Sequence, residues 1–211
     1  MLDTLSYCFN AGFNNRQQLN DCMSELIIDD TGWLQTVEVV ESPNCDARPD
    51  NSNIKLIVIH GISLPPMEFG GGYIQQLFCN QLDAGAHEYF PAICEMKVSA
   101  HCLIERDGNL IQFVSFLRRA WHAGESLWQG EQNCNDFSIG IELEGSDEKS
   151  YTDQQYRQLN RLIASLLVAY PEISADAVCG HSDIAPGRKT DPGPAFDWQR
   201  LGRPSASTET G

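Results

Sequence analysis

Residues Phe137-Ser-Ile-Gly-Ile-Glu-Leu-Glu144 decide the fold. Phe137, Ile139, Ile141 and Leu143 fall on one side of an extended chain, and Ser138, Gly140, Glu142 and Glu144 on the other, the period of a strand with one apolar face. Upstream, Lys55-Leu-Ile-Val-Ile-His60 is a nearly unbroken apolar run rich in β-branched residues, which reads as a buried strand ending at His60. Val98 to Glu105 and Leu110 to Ser115 flank Arg106-Asp107-Gly108-Asn109, a hairpin signal. Between these segments, Pro65-Pro66 and Gly70-Gly71-Gly72 mark a loop, and Tyr73 to Gln81 fits a short helix. Downstream, Thr152 with Gln155 forms a capping box, and Tyr151 and Tyr156 occupy the staple positions. Tyr156, Leu159, Leu162, Ile163, Leu166, Leu167 and Tyr170 then form the apolar stripe of a helix that Pro171 ends. Ala177 to Gly180 is a brief apolar run leading into His181. Strands interleaved with helices around one sheet make a mixed α/β domain.

The rest of the chain sets bounds. Its 211 residues fit one domain with short appendages. Residues 1–30 read as an acidic, polar extension with a weak helical pattern from Leu19 to Ile28, residues 31–204 as the domain, and 205–211 as a disordered tail. A net charge of −15 excludes the clustered cations that a nucleic-acid binder needs. The first fifty residues hold nine acidic and two basic residues. No apolar run approaches the roughly 18 residues of a membrane-spanning helix. Met1 to Tyr7 contains no Lys or Arg, so no signal peptide is read and a cytoplasmic location is expected. The eight cysteines show no C-x-x-C spacing, and in a reducing compartment they are expected as thiols.

Functional residue types are densest in His181-Ser-Asp-Ile-Ala-Pro-Gly-Arg-Lys-Thr-Asp191-Pro-Gly-Pro. Imidazole and carboxylate suit a borderline metal such as zinc, and a Pro/Gly-rigidified loop can bring His181 and Asp191 around one ion. A third ligand must come from elsewhere, and His60 at a strand end is the natural candidate. Two His and one carboxylate would make an open, catalytic type of set. Five histidines offer several triples, and a lone histidine is more often a packed polar residue, so residue types alone leave the set open.

Six motifs in order then resemble a known family. They are His60-Gly-Ile-Ser-Leu-Pro-Pro, Glu68-Phe-Gly-Gly, Val98-Ser-Ala-His-Cys-Leu-Ile, Ala120-Trp-His-Ala-Gly, Asn135-Asp-Phe-Ser-Ile-Gly-Ile-Glu-Leu-Glu-Gly and Gly180-His…Arg188-Lys-Thr-Asp-Pro-Gly-Pro-Ala-Phe-Asp-Trp. Together, over about residues 31–203, they resemble the cytoplasmic anhydro-N-acetylmuramoyl-L-alanine amidases of bacterial cell-wall recycling. The family is related in fold to phage lysozyme-type amidases and peptidoglycan recognition proteins. The resemblance implies a central mixed sheet flanked by helices, with one zinc ion in a surface groove and soluble anhydromuropeptides as substrate.

Carried over residue by residue, the resemblance makes His60, His181 and Asp191 the zinc ligands and Glu142 and Lys189 the catalytic side chains. His101 is expected either in a structural role or behind the metal ligands as their support, and His122 in the groove wall, while His87 has no supporting context. Trp121 offers a surface for a sugar ring, with core packing the ordinary alternative. Gly61 stands where the family commonly has Asn, and Lys97 and Asn133 stand where close relatives tend to carry Arg, so these three positions are expected to bear on substrate binding. Lysine keeps the charge but loses bidentate geometry, and asparagine loses the charge. Two further readings stay open: a non-catalytic peptidoglycan-binding module, which would be expected to lack a ligand, and an envelope amidase acting on polymeric wall, which the absence of a signal peptide opposes.

Overall fold

The computed structural model describes residues 26–50, 52–174 and 176–201. A six-stranded mixed sheet is built from β1 (Glu38–Val39), β3 (Leu56–Ile62), β4 (Cys102–Ile104), β5 (Leu110–Gln112), β9 (Ser138–Glu144) and β10 (Val178–Gly180), in the order β1-β5-β4-β9-β3-β10. Only β4 and β5 pair antiparallel; the other neighbours run parallel. Two small antiparallel pairs lie outside it: β2 (Cys45–Ala47) with β6 (Arg118–Ala120), and β7 (Leu127–Trp128) with β8 (Glu131–Gln132).

The long strands β9 and β3, seven residues each, lie side by side inside the sheet; β3 is an apolar run buried on both faces over Leu56–His60, while β9 alternates apolar residues with Ser138, Gly140, Glu142 and Glu144. On one face α2 (Asp153–Ala169) covers Ile57, Ile59, Ile139, Ile141 and Leu143 with Tyr156, Leu159, Leu162, Ile163 and Leu166. Each such side chain removed from water contributes about 1.5–3 kcal/mol. The expected capping box is present: Thr152 Oγ1 accepts from Gln155 N–H, and Gln155 Oε1 accepts from Thr152 N–H. On the other face a smaller core joins α1 (Tyr73–Phe78), through Ile74, Leu77 and Phe78, to Phe90, Leu103, Ile111 and Phe113.

Several boundaries differ from expectation. Strand β3 continues two residues past His60, because β9 pairs with it as far as Ile62–Glu144. Helix α1 stops at Phe78, three residues early, as Asn80 adopts the left-handed conformation (φ 58°). The strands of the expected hairpin are shorter, with Glu105 N–H donating to Asn109 O across the turn and Gly108 at φ 89°. Residues 26–30, assigned to the extension, pack on the domain: Leu26 is buried and donates its N–H to Ser165 Oγ, and Ile28 bridges to Leu34. The ordered body therefore begins before residue 31. Residues 1–25 and the expected tail at 205–211 lie outside the described residues.

Among the described residues no helix is long and apolar enough to cross a membrane. Cys45, Cys79, Cys94, Cys102 and Cys134 form no disulfide among the described residues, and burial pushes the Cys102 thiol up.

Candidate metal centre and active site

The site forms at the carboxyl ends of three parallel neighbours, where open sheets commonly hold ligands. In β3 and β9, His60 lies directly opposite Glu142, so both side chains leave the same face of the sheet. Strand β10 pairs with β3 up to Gly180–Ile59, and the chain turns there into the short helix α3 (His181–Ile184). Asp183 Oδ2 accepts the Gly180 N–H and fixes that turn. His181 is thereby delivered beside His60. Asp191 arrives on the following loop, which Ser182 N–H ties back by donating to Asp191 O.

Three atoms converge. His60 Nδ1 lies 3.0 Å from His181 Nδ1, and each is 3.1 Å from Asp191 Oδ2. No other group of three or more His, Cys, Asp or Glu side chains among the described residues is arranged to hold a metal ion. A tetrahedral ion with bonds of about 2.0–2.2 Å holds its ligand atoms roughly 3.3–3.6 Å apart, close to these separations. The donor chemistry fits a cation as well. His181 Nε2 lies 3.0 Å from Ala123 O, an obligate acceptor, so Nε2 carries the proton. Its Nδ1 lone pair then faces the Asp191 carboxylate, an arrangement that a cation between them relieves.

Burial shapes the electrostatics. It pulls the His60 imidazole down to about 4, favouring the neutral form that ligates metal. Burial works to raise the Asp191 carboxyl, but its contacts with His181 and His60 outweigh that and hold it well below the usual carboxylate range. Glu142 is the reverse case. Burial pushes its carboxyl well above the usual range, Asp191 adds to the rise, and Lys189 opposes it. Its Oε2 is enclosed and has no hydrogen-bond partner among the described residues. A buried carboxylate oxygen left without a donor beside a set of metal-ligand type marks Glu142 as a candidate functional residue. Lys189 is exposed on the same loop as Asp191, and its charge reaches both Glu142 and His60.

The remaining expected residues scatter. Gly61 follows His60, but a Cβ there would meet Tyr151 Oη at 2.3 Å. That hydroxyl donates to Pro192 O, pinning the loop next to Asp191. The structure thus gives Gly61 a packing role: glycine leaves room for the tether. Trp121 is half-buried and donates Nε1–H to Asp46 Oδ1, while Arg119 grips Asp46 through two bonds of 2.6–2.7 Å. Asn133, in the left-handed conformation, lines a cavity of about 440 Å³ with Gln132, Ile184 and Arg188. Lys97 is exposed.

The histidines outside the ligand set divide. His101 is fully buried and structural, as expected: Nδ1 accepts from Gly140 N–H, and Nε2 donates to Arg118 O. His122 is more than a wall. Its Nδ1 lies 2.9 Å from His60 Nε2, and its Nε2 lies 3.2 Å from Ser138 Oγ. Asn135, which the sequence offered only as part of a motif, accepts from the N–H groups of both His122 and Ala123. The available signal was Gly140 in the middle of a strand, since an interior glycine marks close approach by another group.

Comparisons with known proteins identify the family. The sequence profile described as N-acetylmuramoyl-L-alanine amidase matches residues 50–194. The 1,6-anhydro-N-acetylmuramyl-L-alanine amidase AmpD of Citrobacter freundii is 56% identical over 172 residues, covering 82% of this chain and 91% of that protein. Its counterpart in Escherichia coli K12 is 55% identical, covering 85% and 97%. A crystal structure of a selenomethionine AmpD derivative superposes with a TM-score of 0.80 at 55% identity, over 83% of this chain and 97% of the other. The fold, the convergent His60–His181–Asp191 set and these matches place the chain in the N-acetylmuramoyl-L-alanine amidase family.

Proposed function

We propose that this chain is a zinc-dependent amidase that cleaves the lactyl-amide bond between 1,6-anhydro-N-acetylmuramic acid and L-alanine in soluble muropeptides, acting in cytoplasmic peptidoglycan recycling. One observation carries the reading: His60, His181 and Asp191 converge beside a buried Glu142 oxygen that lacks a partner. The names of the AmpD relatives support the substrate, as does a structure of the related amidase AmiD, 28% identical over 74% of this chain, solved with an anhydro-N-acetylmuramic acid peptide.

His60 Nδ1, His181 Nδ1 and Asp191 Oδ2 would hold the zinc ion. When bound, zinc supplies Lewis-acid polarisation of an amide carbonyl and lowers the pKa of water toward about 7. The Glu142 carboxylate takes the proton of the attacking water as the water oxygen adds to the lactyl carbonyl carbon. As the carbon–nitrogen bond breaks, the same carboxyl group returns that proton to the L-alanine nitrogen, leaving a lactyl carboxylic acid and a free peptide amine, and the acid then gives its proton to the amine or to solvent. Lys189 Nζ places positive charge beside the oxygen on which negative charge develops, an interaction commonly worth ~3 kcal/mol. The raised Glu142 pKa makes it a stronger base than an exposed carboxylate, and the depressed His60 pKa keeps that ligand unprotonated.

The test is hydrolysis of a purified anhydromuropeptide with and without a chelator. Release of free peptide that chelation stops and zinc restores is the expected result. An intact substrate after incubation with zinc-replete protein overturns the reading. A substrate panel that includes intact sacculi separates a recycling enzyme from one acting on the polymeric wall.

A further inference from the structure

We infer that His122 is a positioning residue: it fixes the tautomer of His60, and with Ala123 it makes one dipeptide responsible for orienting both histidine ligands. The inference rests on the ligand set proposed above, but it concerns how this chain prepares that set.

The directions of the hydrogen bonds follow from the far end of a chain of contacts. The Cys134 carbonyl can only accept, so the Ser138 hydroxyl donates to it. Ser138 Oγ is then an acceptor toward the His122 ring, and His122 Nε2 carries the proton. In a neutral imidazole the other nitrogen is the acceptor, so His122 Nδ1 receives the His60 Nε2–H at 2.9 Å. His60 Nδ1 is left with its lone pair, and that atom is the one facing His181 Nδ1 and Asp191 Oδ2. All three links point the same way, ending in a backbone group that cannot reverse.

His181 reaches the same state by a shorter route, since its Nε2 donates to Ala123 O. The two orienting groups are consecutive in the chain. Asn135 Oδ1 holds both, accepting from His122 N–H at 3.1 Å and Ala123 N–H at 2.8 Å. Arg188 Nη2 also donates to the Ala123 carbonyl. Gly140 completes the arrangement. A Cβ there would lie 2.4–2.6 Å from three atoms of the His122 ring, so only glycine lets that ring lie over β9 and meet His60. Partners of this kind commonly set metal affinity by 10- to 100-fold.

Two measurements test this, and neither reads turnover. Long-range ¹H–¹⁵N spectra of the metal-free wild-type protein at pH 7.5 should show His60 and His122 as Nε2–H tautomers. An Nδ1–H tautomer at either residue overturns the inference, whether or not any variant folds. Zinc affinity by chelator competition should fall 10- to 100-fold in His122→Phe and in Gly140→Ala, while His122→Asn, whose side-chain oxygen can accept the His60 proton, should stay within about fivefold. A His122→Phe protein with native circular dichroism and zinc affinity within twofold of wild type overturns the inference. If wild-type protein binds zinc but leaves anhydromuropeptide intact, the amidase reading fails while this one stands. If it binds no zinc, the tautomer spectra alone decide the inference.

Discussion

Strands β3 and β9 present two faces whose residues alternate along the chain and whose physics differ. Toward α2, Ile57, Ile59, Ile139, Ile141 and Leu143 are buried among other apolar side chains. Their stabilisation scales with area removed from water, has no preferred direction and is shared among many contacts. On the opposite face, His60, Gly140 and Glu142 each depend on a particular atom or its absence. These are His122 Nδ1 for His60, the missing Cβ for Gly140, and for Glu142 an oxygen with no protein partner. The first face supplies a rigid scaffold that tolerates graded change. The second uses that rigidity to aim a few polar groups, and there a single atom decides the outcome.

If this division holds, damage to the site face should abolish function without unfolding the protein, and damage to the scaffold face should do the reverse. The largest expected effect is from Asp191→Ala. Three protein ligands leave no redundancy, so elemental analysis should find no stoichiometric zinc. Retention of one ion per chain would remove Asp191 from the ligand set. Next is Glu142→Ala, which should keep zinc and lose about 10²- to 10⁴-fold in turnover, the usual range for a general base. Equal activity would move the base elsewhere. On the scaffold face, Leu162→Ala should lower unfolding free energy by about 2–5 kcal/mol in a urea titration. Zinc affinity of the folded fraction should stay within twofold, and a parallel loss of affinity would break the comparison.

Acid should distinguish the faces too, through the site histidines. Burial pulls the imidazoles of His60, to about 4, and His101, to about 3, below the ordinary imidazole value of 6.5, and lowers His122 well below it. The unfolded chain therefore binds protons that the metal-free folded protein refuses. Stability is complete above about 6.5 and is lost as pH falls from there toward 4, by up to about 1.4 kcal/mol per pH unit for each histidine. Glu142 opposes this with the opposite sign, because its raised pKa lets the folded state take a proton first. One carboxyl against three imidazoles leaves a net loss. A urea midpoint that rises between pH 6.5 and 4.5 in metal-free protein contradicts the account. The smallest effect is expected from Thr152→Ala, which removes one side of the capping box of α2 for about 1 kcal/mol. Zinc content and turnover should be unchanged there.

Legibility in the sequence followed the range of the interaction. The alternation of residues 137–144 and the capping box at Thr152 and Gln155 are set by neighbours a few positions apart, and both are present in the structure. The strand start near Lys55 and the run into His181 were legible for the same reason. Boundaries were less so: β3 extends to Ile62 because β9 lies beside it, and α1 stops at Phe78 because Asn80 turns left-handed. The packing of residues 26–30 depends on Ser165, 139 positions away from Leu26. Among site residues, His60, His181 and Asp191 could be proposed from residue type and motif. His122 could not be paired with His60 across 62 residues, nor Gly61 with Tyr151, because nothing local says which side chains will share a face.

The sequence by itself determined the periodicities, the helix cap, the candidate donors for a metal and the family resemblance, all of which are written in residue order. Only the tertiary structure decided that His60 stands opposite Glu142 in adjacent parallel strands, and that Gly140 and Gly61 are glycine to admit His122 and Tyr151. It also decided that one dipeptide orients two ligands. The physical reason is that periodicity and capping are energies of neighbours along the chain, whereas register, hydrogen-bond direction and steric room are energies between segments that only the closed sheet brings within a few ångströms.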